Sequence, residues 1–322
     1  MIRFVGDLHL GDGARNDLFG HKDTLLAGFA RDCEKTCDAV VFVGDTIDLP
    51  QAWTPRRVLR AHPGIARAIE SLSRKVQVVF IRGNHDWTVD YGQLFPRARV
   101  CEALTVGAAH VMHGHQLDRY CRPGRRHHLS KTALHHLVER CFRFSFRVPL
   151  RDHDTRQNRL AHWLGGQYGG HLRRMAAVHR RLGRPDRAER CDAFIHYWSR
   201  AVWGDPHALF EPAREMIRDG DLSTLVCGHT HLPGAVAVDG GSYVNAGSWT
   251  FGAAQFAEWD SERFRVVDHL SGETIGDERY RWMVSGEDPG DFFAWWRLHH
   301  QGGLRFDSRA REKTRLCSAE KS

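Results

Sequence analysis

The stretch Gly83-Asn84-His85-Asp86 directly follows the apolar run Val76-Gln77-Val78-Val79-Phe80-Ile81. Such a run, closed by a turn glycine, is typical of a buried strand that ends in a tight loop. The loop then carries an amide, an imidazole and a carboxylate, side chains that bind metal ions or move protons. Asparagine is an uncommon metal ligand, so its place between a glycine and a histidine favours a specific kind of site. The prediction depends on whether other strands end in the same way.

Four other apolar runs end in loops with the same kinds of side chain. These loops are Asp7-Leu8-His9, Gly44-Asp45-Thr46-Ile47-Asp48, His113-Gly114-His115 and Gly228-His229-Thr230-His231. The carboxyl ends of strands in an open α/β sheet lie at the edge where ligands bind. The candidate metal ligands are therefore Asp7, His9, Asp45, Asn84, His113, His229 and His231. This set suits Mn, Fe, Zn or Co, and its size predicts two ions bridged by one carboxylate and a water.

Each of these residues, taken singly, also has a structural explanation. Asp7 or Asp45 is a candidate helix N-cap, and the Gly83–Asn84 pair is a candidate turn. In a chain with 22 histidines, a single His-x-His is more often a packing or surface feature than a ligand pair. The ordered occurrence of all five motifs, each after an apolar run, favours the dinuclear metal site.

The remaining pattern predicts one sheet-forming core that is interrupted by a helical insertion. Strands alternate with helices up to the hairpin over 104–112, which predicts a parallel or mixed sheet covered by helices. Predicted strands lie over 2–5, 39–43, 76–81, 223–227, 235–238, 242–245, 255–259 and 263–270, and predicted helices over 23–36, 55–74, 130–146, 157–182 and 186–202. We therefore predict a core of residues 1–118 and 220–275, a basic helical cap over 119–219, and an aromatic helix with a frayed tail over 276–322.

The formal net charge of +7 is concentrated in the predicted cap. Residues 119–200 contain 19 Lys/Arg and 6 Asp/Glu, a net charge of +13, whereas the rest of the chain carries −6. A strongly basic segment of this kind either binds an anionic ligand or surface, or is the solvent-exposed face of helices. Arg122, Arg125 and Arg126 follow the His113 motif closely and are candidate substrate ligands, because arginine forks bind phosphate bidentately. Surface charge is the alternative explanation for these three residues.

The compartment is also predicted from composition. The N-terminus enters a strand pattern without a signal peptide, no apolar run is long enough to span a bilayer, and the eight cysteines are scattered. These features predict a cytoplasmic protein with reduced thiols. The basic, aromatic stretch over 134–148 indicates either peripheral contact with an anionic membrane or an acyl chain, or the packing surface of the cap.

The five motifs together resemble the motif series of the calcineurin-like metallophosphoesterases. Asn245-Ala246-Gly247-Ser248-Trp249 looks like the Asn-x-Gly-Ser turn that often follows in that family. The resemblance covers roughly residues 1–118 and 220–270. It implies an α/β (α+β) fold, a four-layer αββα sandwich with the metals at the strand ends.

The resemblance also implies a role for each motif residue. One metal would be held by Asp7, His9 and His231, the other by Asn84, His113 and His229, and Asp45 would bridge the two. His85 would be the acid that protonates the leaving group. Asp86 would orient His85 or cap a helix, and Asp48 would support the ligands from outside the metal shell.

The implied activity is dinuclear-metal-dependent hydrolysis of a phosphodiester or pyrophosphate bond through a metal-bridging hydroxide, with Mn²⁺ as the first expectation. The substrate would be a phosphorylated small molecule or a lipid-linked phosphate. Alternatives within the enzyme class are a phosphomonoesterase, including a protein phosphatase, and a nuclease that tracks a phosphate backbone with the basic cap. The sequence lacks an aromatic-basic nucleic-acid motif, which disfavours nucleic acid. A catalytically silent interaction scaffold would have lost ligands, and all seven are present.

The placement of the cap resembles the lid of the UDP-2,3-diacylglucosamine pyrophosphatases. That subgroup usually has an arginine where this chain has His85 and an aspartate where it has His115. The lid placement therefore points to a pyrophosphatase of this kind, whereas the two histidines are those of generic phosphodiesterases and phosphatases.

Overall fold

The computed structural model describes residues 1–14, 17–20, 22–118, 121, 132–133, 136–137, 156–199, 207–220, 222–250 and 252–286. Its strands are β1 (Ile2–Val5), β2 (Ala39–Val43), β3 (Gln77–Ile81), β4 (Arg99–Cys101), β5 (Ala103–Val106), β6 (Ala109–Met112), β7 (Thr224–Cys227), β8 (Gly234–Val238), β9 (Gly241–Asn245), β10 (Gln255–Trp259), β11 (Phe264–Asp268) and β12 (Thr274–Ile275). Its helices are α1 (Asp23–Thr36), α2 (Leu49–Ala52), α3 (Pro55–Ala61), α4 (Pro63–Leu72), α5 (Tyr91–Leu94), α6 (Arg156–Arg181), α7 (Pro185–Ser199), α8 (His207–Asp219) and α9 (Arg281–Ser285).

The strands form two sheets, and each has a parallel centre. The first sheet has the order β12-β11-β10-β1-β2-β3-β4, with β1 to β4 mutually parallel. The second has the order β5-β6-β7-β9-β8, with β6, β7 and β9 parallel. Parallel strands are usually buried on both faces, and β2 and β7 are buried at every position.

Side-chain alternation along the strands builds three apolar layers. In β2, Val40 and Phe42 pack against α1 and α4, whereas Val41 and Val43 face the second sheet. Between the two sheets, these residues meet Val226 of β7 and other apolar side chains of the second sheet. On the outer face of the second sheet lies α8, whose buried residues include Phe210. The layers therefore follow the order helix, sheet, sheet, helix, which confirms the predicted sandwich.

The predicted helix over 55–74 is wrong in one respect, because the structure has two helices there. His62 ends α3 with φ −122° and ψ 55°, and Pro63 begins α4. Proline disfavours helical backbone at the preceding residue, so the break is encoded locally. The His62 ring lies between Asp17 and Asp23, with an N–O distance of 3.0 Å to each. Burial lowers the pKa of His62, but the two carboxylates outweigh burial and raise this pKa to about 9.

Several predictions fall partly or wholly outside the described residues. Arg122, Arg125, Arg126 and the C-terminal aromatic segment of 276–322 beyond residue 286 lie outside them, as does most of the helix predicted over 130–146. The limits of the core and the cap stay a prediction; α8, which the sequence places in the cap, packs against the core. Among the described residues, Cys33, Cys37, Cys101, Cys191 and Cys227 form no disulfide. No helix in the described ranges is long and apolar enough to cross a bilayer.

Candidate metal centre

Strand register brings the five motif loops to one edge of the sandwich. In the first sheet, Val43 of β2 lies opposite Ile81 of β3, and Val5 of β1 lies opposite Phe42, so all three strands end together. In the second sheet, β6 and β7 run in parallel with Val111 opposite Val226. The loops after these strands therefore meet, and the structure brings all seven candidate ligands together there.

One group of acceptor atoms consists of Asp7, His9 and His231. The two Nε2 atoms of His9 and His231 lie 3.1 Å apart, and Oδ1 of Asp7 is 3.3 Å from His231 Nε2 and 3.8 Å from His9 Nε2. The Nδ1 atom of His9 lies 3.1 Å from Asp48 Oδ2. A proton on that Nδ1 donates to the carboxylate, so the Nε2 lone pair points into the group.

A second group consists of Asn84, His113 and His229. The Oδ1 atom of Asn84 lies 3.1 Å from His113 Nε2 and 3.1 Å from His229 Nδ1. The other nitrogen of each ring has an acceptor of its own: His113 Nδ1 is 2.7 Å from Val43 O, and His229 Nε2 is 2.9 Å from Asp118 Oδ2. With the ring proton on this outer nitrogen, each ring would turn the lone pair of its inner nitrogen into the group, as a metal ligand requires.

Asp45 lies between the two groups. Its Oδ2 atom is 3.6 Å from His9 Nε2 in the first group and 3.4 Å from His113 Nε2 in the second. Its Oδ1 atom accepts a hydrogen bond of 2.7 Å from the backbone N–H of His85. This bond fixes the carboxylate in the orientation that a bridging ligand requires.

The backbone at the ligands is held in an unusual conformation. Non-glycine residues with left-handed φ include Asp7 (34°), His9 (48°), Asp45 (48°), His229 (67°) and His231 (58°). This region is uncommon for residues other than glycine, and such strain is characteristic of functional sites. Five of the seven candidate ligands have this left-handed φ, so the loops adopt an unfavourable backbone conformation that positions the side chains of the site.

Two motif glycines are required because the ligand carboxylates approach the backbone closely. A Cβ atom on Gly83 would overlap Oδ1 of Asp45, and one on Gly228 would overlap Oδ2 of Asp7. The glycine at the start of each of these motifs therefore makes room for a ligand from another loop.

Asp48 supports both His9 and the candidate acid His85. Its Oδ2 contacts His9 Nδ1, and its Oδ1 lies 3.0 Å from His85 Nδ1. The same Oδ1 accepts from the Gln51 backbone N–H and so also caps α2. The sequence left Asp86 as either the residue that orients His85 or a helix cap, and the carboxylate hydrogen-bonded to the His85 ring is that of Asp48.

Asp86 instead holds the loops themselves. Its Oδ1 accepts 2.7 Å from Gly83 N, and its Oδ2 accepts 2.8 Å from Thr46 N and 2.6 Å from the Tyr91 hydroxyl. Burial and the nearby charge of Asp45 raise the pKa of Asp86 to about 6. Asp86 thus links the loop of Asp45 and the loop of Asn84 through hydrogen bonds to Thr46 N and Gly83 N.

The buried carboxylates of the site require positive charge beside them. Burial would raise the pKa of Asp45, but the imidazoles of His113 and His85 hold it well below its ordinary value. Burial would lower the pKa of His113, but Asp45 and Asp7 raise it to about 10. Buried carboxylates that force a proton onto a histidine demand positive charge, which a metal ion supplies in place of the proton.

The acceptor atoms fit two metal ions. Asp7 Oδ1 is buried and has no hydrogen-bond partner among the described residues. Asn84 Oδ1 lies 3.1 Å from one ring nitrogen of His113 and 3.1 Å from one of His229, so an amide oxygen and two imidazole nitrogens converge there. A divalent ion in each group would satisfy all of them, and histidine with carboxylate and amide oxygen suits Mn, Fe, Zn or Co.

Asp118 is a functional candidate that the sequence did not reveal. It lies five residues after His113, outside every motif, and only the fold brings it to His229. His115 was named only as a departure from a subgroup. It is buried 5.3 Å from the His113 ring, and burial together with the charge of His113 lowers its pKa to about 3. A neutral His115 therefore adds no charge to the site.

A family model described as calcineurin-like phosphoesterase matches residues 1–233. The chain belongs to this family. The phosphoesterase is accordingly a metal-dependent phosphoester hydrolase of a dinuclear-metal family, as the resemblance implied.

Solved structures similar to the phosphoesterase include a phosphoesterase, a phosphodiesterase and a nuclease. YfcE, a phosphoesterase from E. coli, is 14% identical with a TM-score of 0.38, over 85% of this chain and 96% of that chain. An archaeal phosphodiesterase is 10% identical with a TM-score of 0.36, over 83% and 98%. The Pseudomonas putida nuclease MPE is 24% identical with a TM-score of 0.27, over 35% and 53%. No curated protein matches the phosphoesterase.

Asp118→Ala is expected to weaken metal binding in the phosphoesterase about 10- to 100-fold, since the acceptor that orients a metal-binding histidine has this effect. Asp118→Asn keeps an acceptor for His229 Nε2–H but removes the charge, so a smaller loss is expected. Mn²⁺ titration followed by calorimetry measures both, with the exposed aspartate variant Asp219→Asn as a control. Unchanged affinity in Asp118→Ala would show that the contact with His229 is incidental.

Proposed function

We propose that the phosphoesterase hydrolyses a phosphodiester or pyrophosphate bond with two Mn²⁺ ions. Asp7, His9 and His231 would hold one ion and Asn84, His113 and His229 the other, with Asp45 shared between them. The observation that carries this proposal is the convergence of carboxylate, amide and imidazole atoms in two groups on either side of Asp45. When bound, two such ions neutralise phosphoryl oxygens and lower the pKa of water.

The residues of the chain would set the positions of the reacting groups. Asp45 fixes the separation of the two ligand groups, because its Oδ2 reaches both while its Oδ1 is anchored to His85 N. Asp48 and Asp118 fix the rings of His9 and His229 through their outer nitrogens. Preorganised ligands of this kind need no rearrangement when charge develops on the phosphoryl group.

His85 would supply the proton to the leaving oxygen. Its side chain is 12% exposed, so substrate reaches it, and one of its ring nitrogens lies with ligand atoms of His9 and Asp45 in a group no wider than 4.8 Å. Asp48 holds Nδ1, which leaves Nε2 as the nitrogen that carries the transferable proton. A positioned imidazole is a common general acid at neutral pH.

The charge of the site favours a diester or a pyrophosphate over a monoester. In the described part of the chain, the cationic groups that contact Asp7 and Asp45 are histidines. A phosphomonoester dianion is ordinarily held by arginine or lysine as well as by metal. A singly charged phosphoryl group needs less compensation, and the proton from His85 assists departure of a poor leaving group.

The proposed function predicts metal-dependent turnover with a definite order of substrates. The chelated enzyme is expected to be inactive, and Mn²⁺ is expected to restore hydrolysis. Rates measured on a phosphomonoester, a phosphodiester and a UDP-linked pyrophosphate should place one of the last two about 10-fold or more above the first. A faster monoester would overturn the proposed bond type. No rate on any of the three, with Mn, Fe, Zn or Co, would overturn the proposed hydrolysis.

A further inference from the structure

Trp53 is an exposed aromatic residue at the point where a long buried segment reaches the surface. Every residue over 39–52 is buried, whereas 50% of the Trp53 side chain is exposed. Its φ is 70°, which is a genuine outlier for a bulky side chain. A strained backbone at an exposed tryptophan, where glycine would be relaxed, points to a use for the indole outside the core.

The short helix α2 connects Trp53 to the proton-transfer side of the metal centre. Asp48 caps the start of α2, and Trp53 ends it with a backbone hydrogen bond of 2.8 Å to Leu49 O. The four residues of α2 lie between them, so Asp48 and Trp53 are five residue steps apart, or roughly 7.5 Å along the axis. Asp48 is also the carboxylate that holds His85. Trp53 and His85 are therefore linked through Asp48 and α2, and both side chains are at least partly exposed.

A residue of the predicted cap contacts Trp53. The ring of His136 contacts the indole edge-on, with 4.8 Å between ring centroids. The adjacent Leu137 is 51% exposed. The exposed indole therefore gives an apolar surface at the end of α2.

We propose that Trp53 is a specificity-determining residue that stacks on a planar aromatic ring in the leaving group of the substrate. The proposal rests on the proposed function, in which His85 gives its proton to the leaving oxygen. A leaving group bound against the partly exposed His85 and extending towards the end of α2 would reach the exposed indole of Trp53. Stacking on an aromatic side chain is tolerant of the ring's identity and suits a nucleobase or a simple aryl group.

The kinetic test changes only the leaving group. Ethyl phenyl phosphate and ethyl 2,2,2-trifluoroethyl phosphate are compared in the wild type, Trp53→Ala, Trp53→Phe and the exposed-residue control Leu182→Ala. Because each variant is compared with the wild type on the same substrate, the different reactivity of the two leaving groups cancels. Trp53→Ala is expected to lower kcat/KM about 10-fold on the phenyl ester and less than about 2-fold on the other. Trp53→Phe should stay within about 3-fold of the wild type on both.

A binding test separates this proposal from the proposed function. AMP and ribose 5-phosphate share the phosphate and the sugar, and differ in the base. Calorimetry on the Mn²⁺-loaded protein is expected to show about 10-fold weaker AMP binding in Trp53→Ala, with ribose 5-phosphate unchanged. This result would stand even if no diester were hydrolysed.

Equal effects on both members of each pair, or no effect on either, would overturn the stacking role. A fall in Tm for Trp53→Ala without any change in selectivity would do the same, since it would assign Trp53 to packing against His136 only.

Discussion

The Asp45→Asn enzyme is expected to lose hydrolysis by roughly 10³-fold or more, because it loses both a shared metal ligand and a buried charge that offsets the metals. The amide can present only one oxygen, whereas the carboxylate uses Oδ2 towards both ligand groups and Oδ1 towards His85 N. The variant is also expected to bind fewer than two Mn²⁺ ions per chain. Metal analysis after gel filtration and steady-state rates measure the two effects on the same sample.

Asp38→Asn is the matched control for this prediction. Asp38 directly precedes β2 at the opposite end from Asp45, and its exposed carboxylate contacts the N-terminal amine. The same chemical change there is expected to leave metal content and activity at the wild-type level. Two ions bound at full occupancy in Asp45→Asn would contradict the bridging role, whatever the rate.

Most strands were predictable because each carries a strong local pattern. The β2 run Ala39–Val43 and the β7 run Thr224–Cys227 are continuous apolar segments bounded by turn residues, as buried parallel strands are. The short strand Arg99–Cys101 was missed, since three residues with an exposed arginine carry no period. Its strand conformation comes from parallel pairing with β3. Pro63 encodes the break at His62, but helical apolar spacing continues through 55–74 and by itself predicts one helix.

The ligand set was predictable from spacing, whereas its supports were not. An Asp, Asn or His directly after a strand is a candidate ligand, and the carboxyl ends of parallel strands lie at the same edge of the sheet. Which carboxylate reaches His85 depends on backbone angles within two loops, so the sequence left the role of Asp86 open, and in the fold Asp48 contacts the His85 ring. Asp118 follows no motif and meets His229 across 111 positions. Local patterns therefore reveal ligands, and only the tertiary structure reveals the residues that orient them.

The contact between Asp48 and His85 gives a second large expected effect. His85→Ala is expected to lower kcat about 10²- to 10⁴-fold on a diester with an alkyl leaving group, the range that general acid catalysis contributes. The loss is expected to shrink on a p-nitrophenyl diester, because p-nitrophenolate departs without a proton. Mn²⁺ content should stay at two ions per chain, since His85 is not one of the seven proposed ligands and all seven remain.

The dependence of rate on leaving-group pKa distinguishes a proton donor from a residue that merely shapes the site. A structural defect lowers all rates by a similar factor, whereas loss of the acid makes the rate fall more steeply as the leaving group becomes more basic. His171→Ala, at an exposed histidine of α6, controls for the general effect of removing an imidazole and should match the wild type. If His85→Ala lowered alkyl and p-nitrophenyl rates equally while both ions stayed bound, His85 would stabilise charge in the transition state without transferring a proton, and Asp48 would serve to hold it in place for that purpose.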